Sequence, residues 1–264
     1  MSYILFEKIH FSRLITETLK LFFIKSNLQR LSKSNELKDY KNLLAKKDSR
    51  LNNLNYMINV IRLDQQRSYK SYDYGQGYFY QSIPDVEISG YRDTELRVEE
   101  LSLKEITKNK SVLDIGSNAG AILFNLRNLI KLGVGVENNS FLIKISNLIK
   151  QHLNTKNISF IEKDFEDFKM SDKFDIVLSL ANHKTFDGNT KQNLRQYFEK
   201  IRKHLKKDGK LIFESHPPEI ENEDQYIEVL KGIKLFFNIE STPRIDMPGF
   251  LDKNRKYLIC SCNS

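Results

Sequence analysis

The sequence has few of the residues that cross-link or break a chain: among 264 residues there are two cysteines, five prolines and no tryptophan. Two thiols, at Cys260 and Cys262, are too few for a disulfide framework or a zinc site, which indicates a reducing, cytoplasmic compartment. Because alternate residues of a strand share one face, the two cysteines are expected to pack within a C-terminal strand. With 40% hydrophobic residues and no low-complexity tract, the chain is predicted to fold around a substantial core.

Long hydrophobic runs are also absent, so no membrane-spanning helix is predicted, and no secretory signal is evident. The first 28 residues are apolar, but five charged residues between positions 7 and 20 interrupt them. An ordinary core-facing stripe of an amphipathic helix is favoured here over contact with a membrane surface. The stripe comprises Phe11, Ile15, Leu19, Phe22 and Phe23.

Acidic residues are scarce at the N-terminal end. Residues 1–67 contain 13 Lys and Arg against 6 Asp and Glu, whereas the remaining residues contain 29 against 28. Most of the net charge of +8 therefore belongs to the first quarter of the chain. Two interpretations are open: a solvated lysine-rich face, or docking on an anionic surface, either nucleic acid or the inner face of the membrane.

Three regions are predicted along the chain. Residues 1–67 lack glycine and proline and form a helical, basic arm, in which leucine or isoleucine recurs every seven residues at 37, 44, 51 and 58. This repeat suits a coiled coil that makes a homodimer, but a helix lying on the main domain also explains it and is favoured. Residues 68–105 are a tyrosine-rich connecting segment in which Asp93 or Thr94 begins a helix, and residues 106–264 are the main domain.

From residue 111 onward, segments with strand and helix patterns alternate, which predicts an α/β fold with a doubly wound, mostly parallel sheet. Strands are expected at 111–115, 133–137, 157–161, 174–180, 209–215, 235–240 and 256–262. Helices are expected at 119–131, 140–153, 189–206 and 223–232. The cations before Gly209 are expected to end the helix at 189–206.

The stretch SVLDIGSNAG at residues 111–120 carries the main functional prediction. Gly116 and Gly120 leave the backbone bare after a strand, where ligands bind to open α/β sheets. The spacing differs from the dinucleotide fingerprint, and Asp114 beside the glycines would repel a phosphate. An acid there suits a cationic ligand, and S-adenosylmethionine, with its ammonium and sulfonium groups, fits.

The same stretch resembles motif I of the class I S-adenosylmethionine-dependent methyltransferases. Later segments resemble the further signposts of that family: VGVE before Asn138, EKDFEDF, FDIVLSL followed by ANHKTF, and a C-terminal hairpin. The resemblance implies a Rossmann-like seven-stranded sheet with a helical N-terminal extension. It also implies that the residues on the cofactor are Asp114, Gly116, Ser117, Asn118, Gly120, Glu137, Asn138, Asp164, Phe165 and Leu180.

The segment YFYQSI…SGYRDTELRVEEL before motif I is similar to methyltransferases of bacterial surface-polysaccharide and glycan-tailoring pathways. In those proteins a Tyr-Gln pair and an arginine tend to close over the amino-acid end of the cofactor. The matching positions are Tyr80, Gln81 and Arg92, with Arg97 as a further arginine, so residues 68–105 are expected to cap the cofactor. Pairing of these arginines with Glu95 and Glu99 on a helix surface is the alternative.

Two histidines follow strands that line the acceptor pocket of this fold. His183 comes just after the motif IV region and is the predicted general base, and His216 and Glu214, after the next strand, are expected to assist. With Asn182 and Asp187 these groups could hold a divalent metal, but a metal site is not favoured. The Asn/Asp-Pro-Pro-aromatic motif of base methylation is absent after the fourth strand, which leaves O-methylation or N-methylation of a small amine.

The prediction is therefore a methyltransferase that acts on a sugar hydroxyl of a nucleotide-activated or lipid-linked glycan precursor. It is expected in the cytoplasm, with the N-terminal arm serving dimerisation or attachment near the inner face of the membrane. The first alternative is an RNA methyltransferase that uses the basic arm to hold RNA. The second is a binding module that keeps the fold without catalysis.

Overall fold

The computed structural model describes residues 30–31, 33–68, 78–183, 190–215, 223–243 and 255–263. Within these ranges the chain forms two compact units. The first contains the described residues up to 48 together with 78–92, and the second contains 49–68 and the described residues from 93 onward. The sequence-based division into 1–67, 68–105 and 106–264 concerns roles rather than contacts, and it stays a prediction.

The second unit is built on a seven-stranded sheet with the strand order β3-β2-β1-β4-β5-β7-β6. Neighbours from β3 to β5 pair in parallel, whereas β7 is antiparallel to both β5 and β6. This confirms the predicted Rossmann-like, mostly parallel sheet. The strands are β1 Ser111–Ile115, β2 Leu132–Glu137, β3 Ile158–Glu162, β4 Phe174–Leu180, β5 Leu205–Glu214, β6 Phe237–Ser241 and β7 Tyr257–Cys262.

Helices precede and connect the strands. In the first unit, α1 covers 33–46. In the second unit the helices are α2 Ser49–Ser68, α3 Thr94–Glu100, α4 Leu103–Thr107, α5 Ala121–Leu126, α6 Ser140–His152, α7 Leu194–His204 and α8 Glu223–Lys234. None of the helices in the described ranges combines the length and apolarity needed to span a bilayer.

The strand order reverses at β1, because β2 and β3 extend to one side of it and β4 and β5 to the other. At such a point the loops after neighbouring strands diverge and open a crevice at the carboxyl ends. β1 is buried along its whole length, as expected for a central parallel strand. The ligand site predicted from SVLDIGSNAG therefore follows the innermost strand.

Local side-chain chemistry fixes the helix starts next to this crevice. Asn139 caps α6 by accepting from the N–H groups of Phe141 and Leu142. Asn193 caps α7 in a reciprocal capping box with Gln196, whose side chain accepts from the Asn193 N–H. Asp93 caps α3, which confirms one of the two predicted cap positions.

Several predicted boundaries were wrong, and the helix expected from 189 begins at Leu194. The helix expected at 189–206 ends at His204, because Leu205 has extended backbone angles and is the first residue of β5, where it pairs with Phe174 of β4. The strand expected at 209–215 therefore begins four residues early. The helix expected at 119–131 ends at Leu126, and in the turns that follow the Asn157 side chain donates to the carbonyls of Arg127 and Ile130.

The seven-residue repeat does not run along one helix, because the helical conformation is interrupted at Lys47, which has a φ of 51°. In α2, Leu51, Leu54 and Ile58 are buried, and α2 packs against α6. In α1, Leu37 and Leu44 are each 54% exposed. The favoured interpretation, a helix lying on the main domain, holds for α2, and the homodimer stays a prediction.

The first unit is held together by a buried carboxylate. Asp39 of α1 accepts hydrogen bonds from the Tyr78 hydroxyl and from the Ser89 backbone N–H and side chain. Burial and the neighbouring Asp39 raise the pKa of Tyr78, so the phenol stays protonated and remains a donor. Asn35 adds a bond to the Gly90 carbonyl at 2.6 Å. These contacts fix residues 78–92 against α1.

Two leucines of α2 differ in burial and test the packing of this helix. Leu54 is 2% exposed and Leu63 is 50% exposed. We expect Leu54→Ala to lower the free energy of unfolding by about 2–4 kcal/mol, because it leaves a cavity in the packing around α2. Leu63→Ala should change it by less than ~0.5 kcal/mol. Urea unfolding of both variants measures the difference, and equal losses would contradict the described placement of α2.

Candidate functional site

The turn after β1 is shaped by left-handed backbone angles. Gly116, Asn118 and Gly120 have φ values of 66°, 52° and 84°. Asparagine tolerates this conformation better than most side chains do, which accounts for Asn118 in the middle of the turn. The N–H groups of Gly116 and Ser117 bond to the Val136 carbonyl at 2.8 and 3.1 Å, so the turn is fastened to β2.

Both glycines are required by close approach as well as by conformation. A Cβ at Gly116 would lie 2.8 Å from the Asn182 Cβ, and one at Gly120 would lie 2.5 Å from the Phe160 ring. A Cβ at Gly135 would lie 2.6 Å from the Ser117 hydroxyl oxygen, which accounts for a further glycine in β2. The bare turn is thus enclosed by its neighbours and leaves its backbone as the surface available to a ligand.

Asn182, which sequence reasoning considered only as a metal ligand, supports this turn from the loop after β4. Its side-chain NH₂ donates to the Ile115 carbonyl, and its oxygen accepts from Tyr197 at 2.6 Å and from Ser179 at 3.0 Å. Ala181, with a φ of 60°, turns the chain so that Asn182 faces β1. Such strain costs about 1–3 kcal/mol and concentrates at functional sites. The LANH sequence does not reveal it, because alanine gives no sign of a positive φ.

Glu137 lies at the end of β2 and holds the turn through its carboxylate. One oxygen accepts from the Asn118 N–H at 2.9 Å and the other from the Asn139 N–H at 3.0 Å. An ionised carboxylate can accept about four hydrogen bonds, so these contacts are compatible with the predicted contact to the ribose hydroxyls. The structure therefore brings Glu137 to the turn, as the motif spacing predicts.

The loops after β2 and β3 meet next to Glu137, through a bond between Asn138 and Asp164. The Asn138 side-chain NH₂ donates to the Asp164 carboxylate at 3.0 Å, so two residues predicted to bind the cofactor lie together. The ring of Phe165 is stacked on Phe168 and edge-on to Tyr197 of α7, with centroid distances of 6.4 and 5.7 Å. This gives the Phe165 ring a packing role, and its contact with the cofactor stays a prediction.

Asp114 places a buried carboxyl at the start of the site. It is 4% exposed, and burial raises its pKa to about 7. Arg97 opposes this rise and Glu137 adds to it through their charges. The carboxyl therefore changes charge near neutral pH and is poised to ionise when a cation lies beside it.

Arg97 belongs to a buried ion-pair cluster at the end of β5. Glu214 pairs with Arg97 and, at 2.8 Å, with Arg255, and it also accepts from the Tyr257 hydroxyl at 3.2 Å. The side chains of both arginines and Glu214 are at most 4% exposed. These contacts tie α3 to the sheet and give Glu214 a charge-balancing role, while its predicted part in catalysis stays a prediction.

The structure describes one of the two predicted catalytic histidines. His183 lies three residues after the end of β4, is 1% exposed and has its ring 4.5 Å from the Tyr197 ring. His216 and Asp187 lie outside the described residues. Leu180 is half-buried and pairs in register with Glu214. Among the described side chains, no group of three or more His, Cys, Asp and Glu is arranged to hold a metal ion.

Tyr80, Gln81 and Arg92 are brought together within the first unit. Gln81 and Arg92 form a parallel bridge, and the Arg92 guanidinium lies 5.7 Å from the centre of the Tyr80 ring. A cation over an aromatic face is held in a defined direction. The three residues form one cluster, as their resemblance to a cofactor cap implies, and their contact with the cofactor stays a prediction.

The sequence of residues 106–258 matches the model of the methyltransferase domain family, which covers more than half of the chain. The chain belongs to this family. The match confirms the predicted class, a class I methyltransferase domain that depends on S-adenosylmethionine. No curated protein matches the chain.

Solved methyltransferase structures share the fold at low identity. The N-methyltransferase NodS from Bradyrhizobium japonicum WM9, in complex with S-adenosyl-L-homocysteine, is 15% identical with a TM-score of 0.50, over 65% of this chain and 85% of NodS. A SAM-dependent methyltransferase from Aquifex aeolicus is 12% identical with a TM-score of 0.50, over 65% and 90%. A putative class I methyltransferase from Listeria monocytogenes is 20% identical with a TM-score of 0.50, over 65% and 60%.

The raised pKa of Asp114 predicts a dependence of stability on pH. The folded form holds the proton up to about pH 7, whereas the unfolded form releases it near 3.8. Stability contributed by this group is therefore present at low pH and is lost as pH rises from about 4 through 7. Relative to the wild type, Asp114→Asn should gain roughly 2–3 kcal/mol in free energy of unfolding between pH 5 and pH 8. Parallel pH profiles in urea unfolding would contradict the burial of an ionisable group at position 114.

The Glu214 cluster predicts a large loss on substitution. Glu214→Gln keeps the shape but leaves two buried arginines without their carboxylate, and we expect the free energy of unfolding to fall by about 3 kcal/mol or more. The matched control is Glu240→Gln, whose partner Lys210 lies at 2.6 Å in an exposed pair, and it should cost less than ~1 kcal/mol. Similar small losses in both variants would show that Glu214 does not balance buried charge.

Proposed function

We propose that this methyltransferase transfers a methyl group to a hydroxyl of a small acceptor, and that the acceptor is a sugar in a glycan precursor. The observation that carries the proposal is the position of His183. It follows β4, next to Asn182, which touches the bare turn after β1. A potential base thus lies beside the turn on which the cofactor is expected to bind.

The residues of the site fit S-adenosylmethionine in shape and charge. Side chains at 116 and 120 would collide with Asn182 and Phe160, so both positions are glycine and the turn can present only its backbone to a ligand. The buried Asp114 carboxyl lacks a full counter-charge, since Arg97 is shared with Glu214. The positively charged amino-acid end of the cofactor would complete the balance there, while Glu137 would take the ribose hydroxyls.

Bound S-adenosylmethionine supplies an electrophilic methyl group on a sulfonium. The protein then has to align the acceptor, exclude water and accept one proton. In that chemistry a His183 nitrogen would take the proton that the acceptor hydroxyl loses. The burial of His183 against Tyr197 holds the ring in one orientation, which favours alignment.

The sugar class rests on the resemblance of the segment before motif I, and the charge distribution is consistent with a small acceptor. The excess of cations lies in residues 1–67, whereas the rest of the chain has 29 Lys and Arg against 28 Asp and Glu. Residues 68–264, in which the two signs of charge nearly balance, offer little net electrostatic attraction to a polyanion.

Turnover with nucleotide-activated sugars tests the proposal. We expect His183→Ala to lower kcat about 10²–10⁴-fold, as loss of a positioned base does, while the affinity for S-adenosylhomocysteine is unchanged. The control is His152→Ala on α6, which removes a half-buried histidine away from the site and should keep wild-type kcat. Thermal unfolding of both variants establishes that they are folded.

Unchanged kcat in folded His183→Ala would remove His183 from the proposed role. Methylation of RNA but not of sugars, with binding that weakens steeply as salt rises, would establish the RNA alternative instead. Transfer to amines but not to hydroxyls would replace O-methylation by N-methylation. Each result separates the acceptor class from the cofactor site, which the S-adenosylhomocysteine affinity reports independently.

A further inference from the structure

A cavity that does not include the turn after β1 lies between the loop that follows β3 and α7. Its volume is about 490 Å³, within the range that small-molecule sites occupy. Its lining combines two apolar side chains, Phe168 and Met170, with Lys169, Lys200 and Lys203. Neither the methyltransferase motifs nor the proposed chemistry uses these residues.

The lining contains three lysines and one carboxylate, so it carries a net positive charge. Glu199 is the carboxylate of the lining, and it pairs with Lys203 at 2.8 Å on the exposed side of α7. Outside the lining, Glu166 is close to Lys200 and partly offsets its charge, and the Glu166 carboxylate accepts from the Thr190 hydroxyl and from the N–H groups of Lys191 and Gln192. Lys200 donates instead to the Glu166 backbone carbonyl at 2.5 Å.

The surroundings of Lys200 disfavour its charged form. Burial lowers its pKa, and the charges of Lys169 and Lys203 lower it further, while Asp167 and Glu166 oppose the shift. The ammonium also lies 5.3 Å from the centre of the Phe165 ring. An anion between the lysines would relieve their repulsion and form charge-assisted hydrogen bonds.

The opposite part of the lining is apolar. Phe168 is 2% exposed, and its ring lies 5.0 Å from that of His204. Burial lowers the pKa of His204, and the charge of Lys200 adds to this effect, so the imidazole is neutral at pH 7 and acts as part of the ring surface. The Gln196 side chain lies at the other end, at the start of α7.

We propose that this cavity binds a small ligand with a phosphate or diphosphate group on an apolar or aromatic body. The phosphate lies among Lys169, Lys200 and Lys203, and the body lies on Phe168 and Met170. The nearly balanced charge of residues 68–264 favours a small ligand over a polynucleotide, which would need a wider basic surface.

Isothermal titration calorimetry on the full chain, saturated with S-adenosylhomocysteine, tests the site with two probes, inorganic pyrophosphate and uridine 5′-diphosphate. Both should bind, and the uridine compound more tightly, because its ring contacts the apolar floor. Lys200→Gln and Lys203→Gln should each weaken binding about tenfold, as loss of a charge-assisted hydrogen bond does. Glu199→Gln should strengthen binding several-fold, because it removes the negative charge from the lining.

The chain offers matched controls on α8. Lys231 pairs with Glu228 at 2.7 Å. The Lys231 side chain is about as exposed as that of Lys203, and the Glu228 side chain is more exposed than that of Glu199. Lys231→Gln and Glu228→Gln make the same changes of charge outside the cavity and should leave both affinities unchanged. Tighter binding in Glu199→Gln cannot come from damage to the fold.

Several results would overturn the proposal. They are the absence of saturable binding of either probe at millimolar concentration, equal weakening by Lys203→Gln and Lys231→Gln, and equal affinity for pyrophosphate and uridine 5′-diphosphate. Binding of a single-stranded RNA that uridine 5′-diphosphate does not displace would assign the lysines to a polyanion surface instead.

Discussion

The site depends on one steric constraint: the backbone after β1 has no room for side chains at two positions. A Cβ at Gly116 would meet Asn182, and a Cβ at Gly120 would meet Phe160. The turn is therefore bare and fixed from three directions, by the Val136 carbonyl, the Glu137 carboxylate and the Asn182 side chain. A rigid turn of this kind presents backbone groups to a ligand without first having to be ordered.

Charged side chains also surround that turn. Asp114 and Glu137 bring two carboxylates to it, and Arg97 partly offsets them while it also pairs with Glu214. Because the Asp114 carboxyl is buried, its charge responds to whatever lies beside it. A cationic ligand would be favoured and a phosphate would be repelled, which agrees with membership of the methyltransferase family.

Most of the sheet could be predicted from the sequence, because strands that are buried on both faces are short apolar runs bounded by turns. β1 and β4 fall on their predicted residues, whereas α7 and β5 meet at His204 and Leu205 rather than at Gly209. That boundary depends on the pairing of Leu205 with Phe174, a contact between residues far apart in the chain. The break at Lys47 was missed for a similar reason, since lysine gives no sign of a positive φ.

In the candidate site, residues that a sequence motif specifies could be predicted. Residues whose role depends on contacts with distant parts of the chain could not. Gly116, Gly120, Asp114 and Glu137 follow from a motif, but Asn182 and Tyr197 support the turn through contacts that no spacing reveals.

The most direct test of the account is a crystal structure of the protein with S-adenosylhomocysteine. The account predicts that the ligand lies along residues 116–120, with its ribose hydroxyls on Glu137 and its ammonium towards Asp114. A ligand bound elsewhere, or a turn closed by a neighbouring side chain, would contradict it.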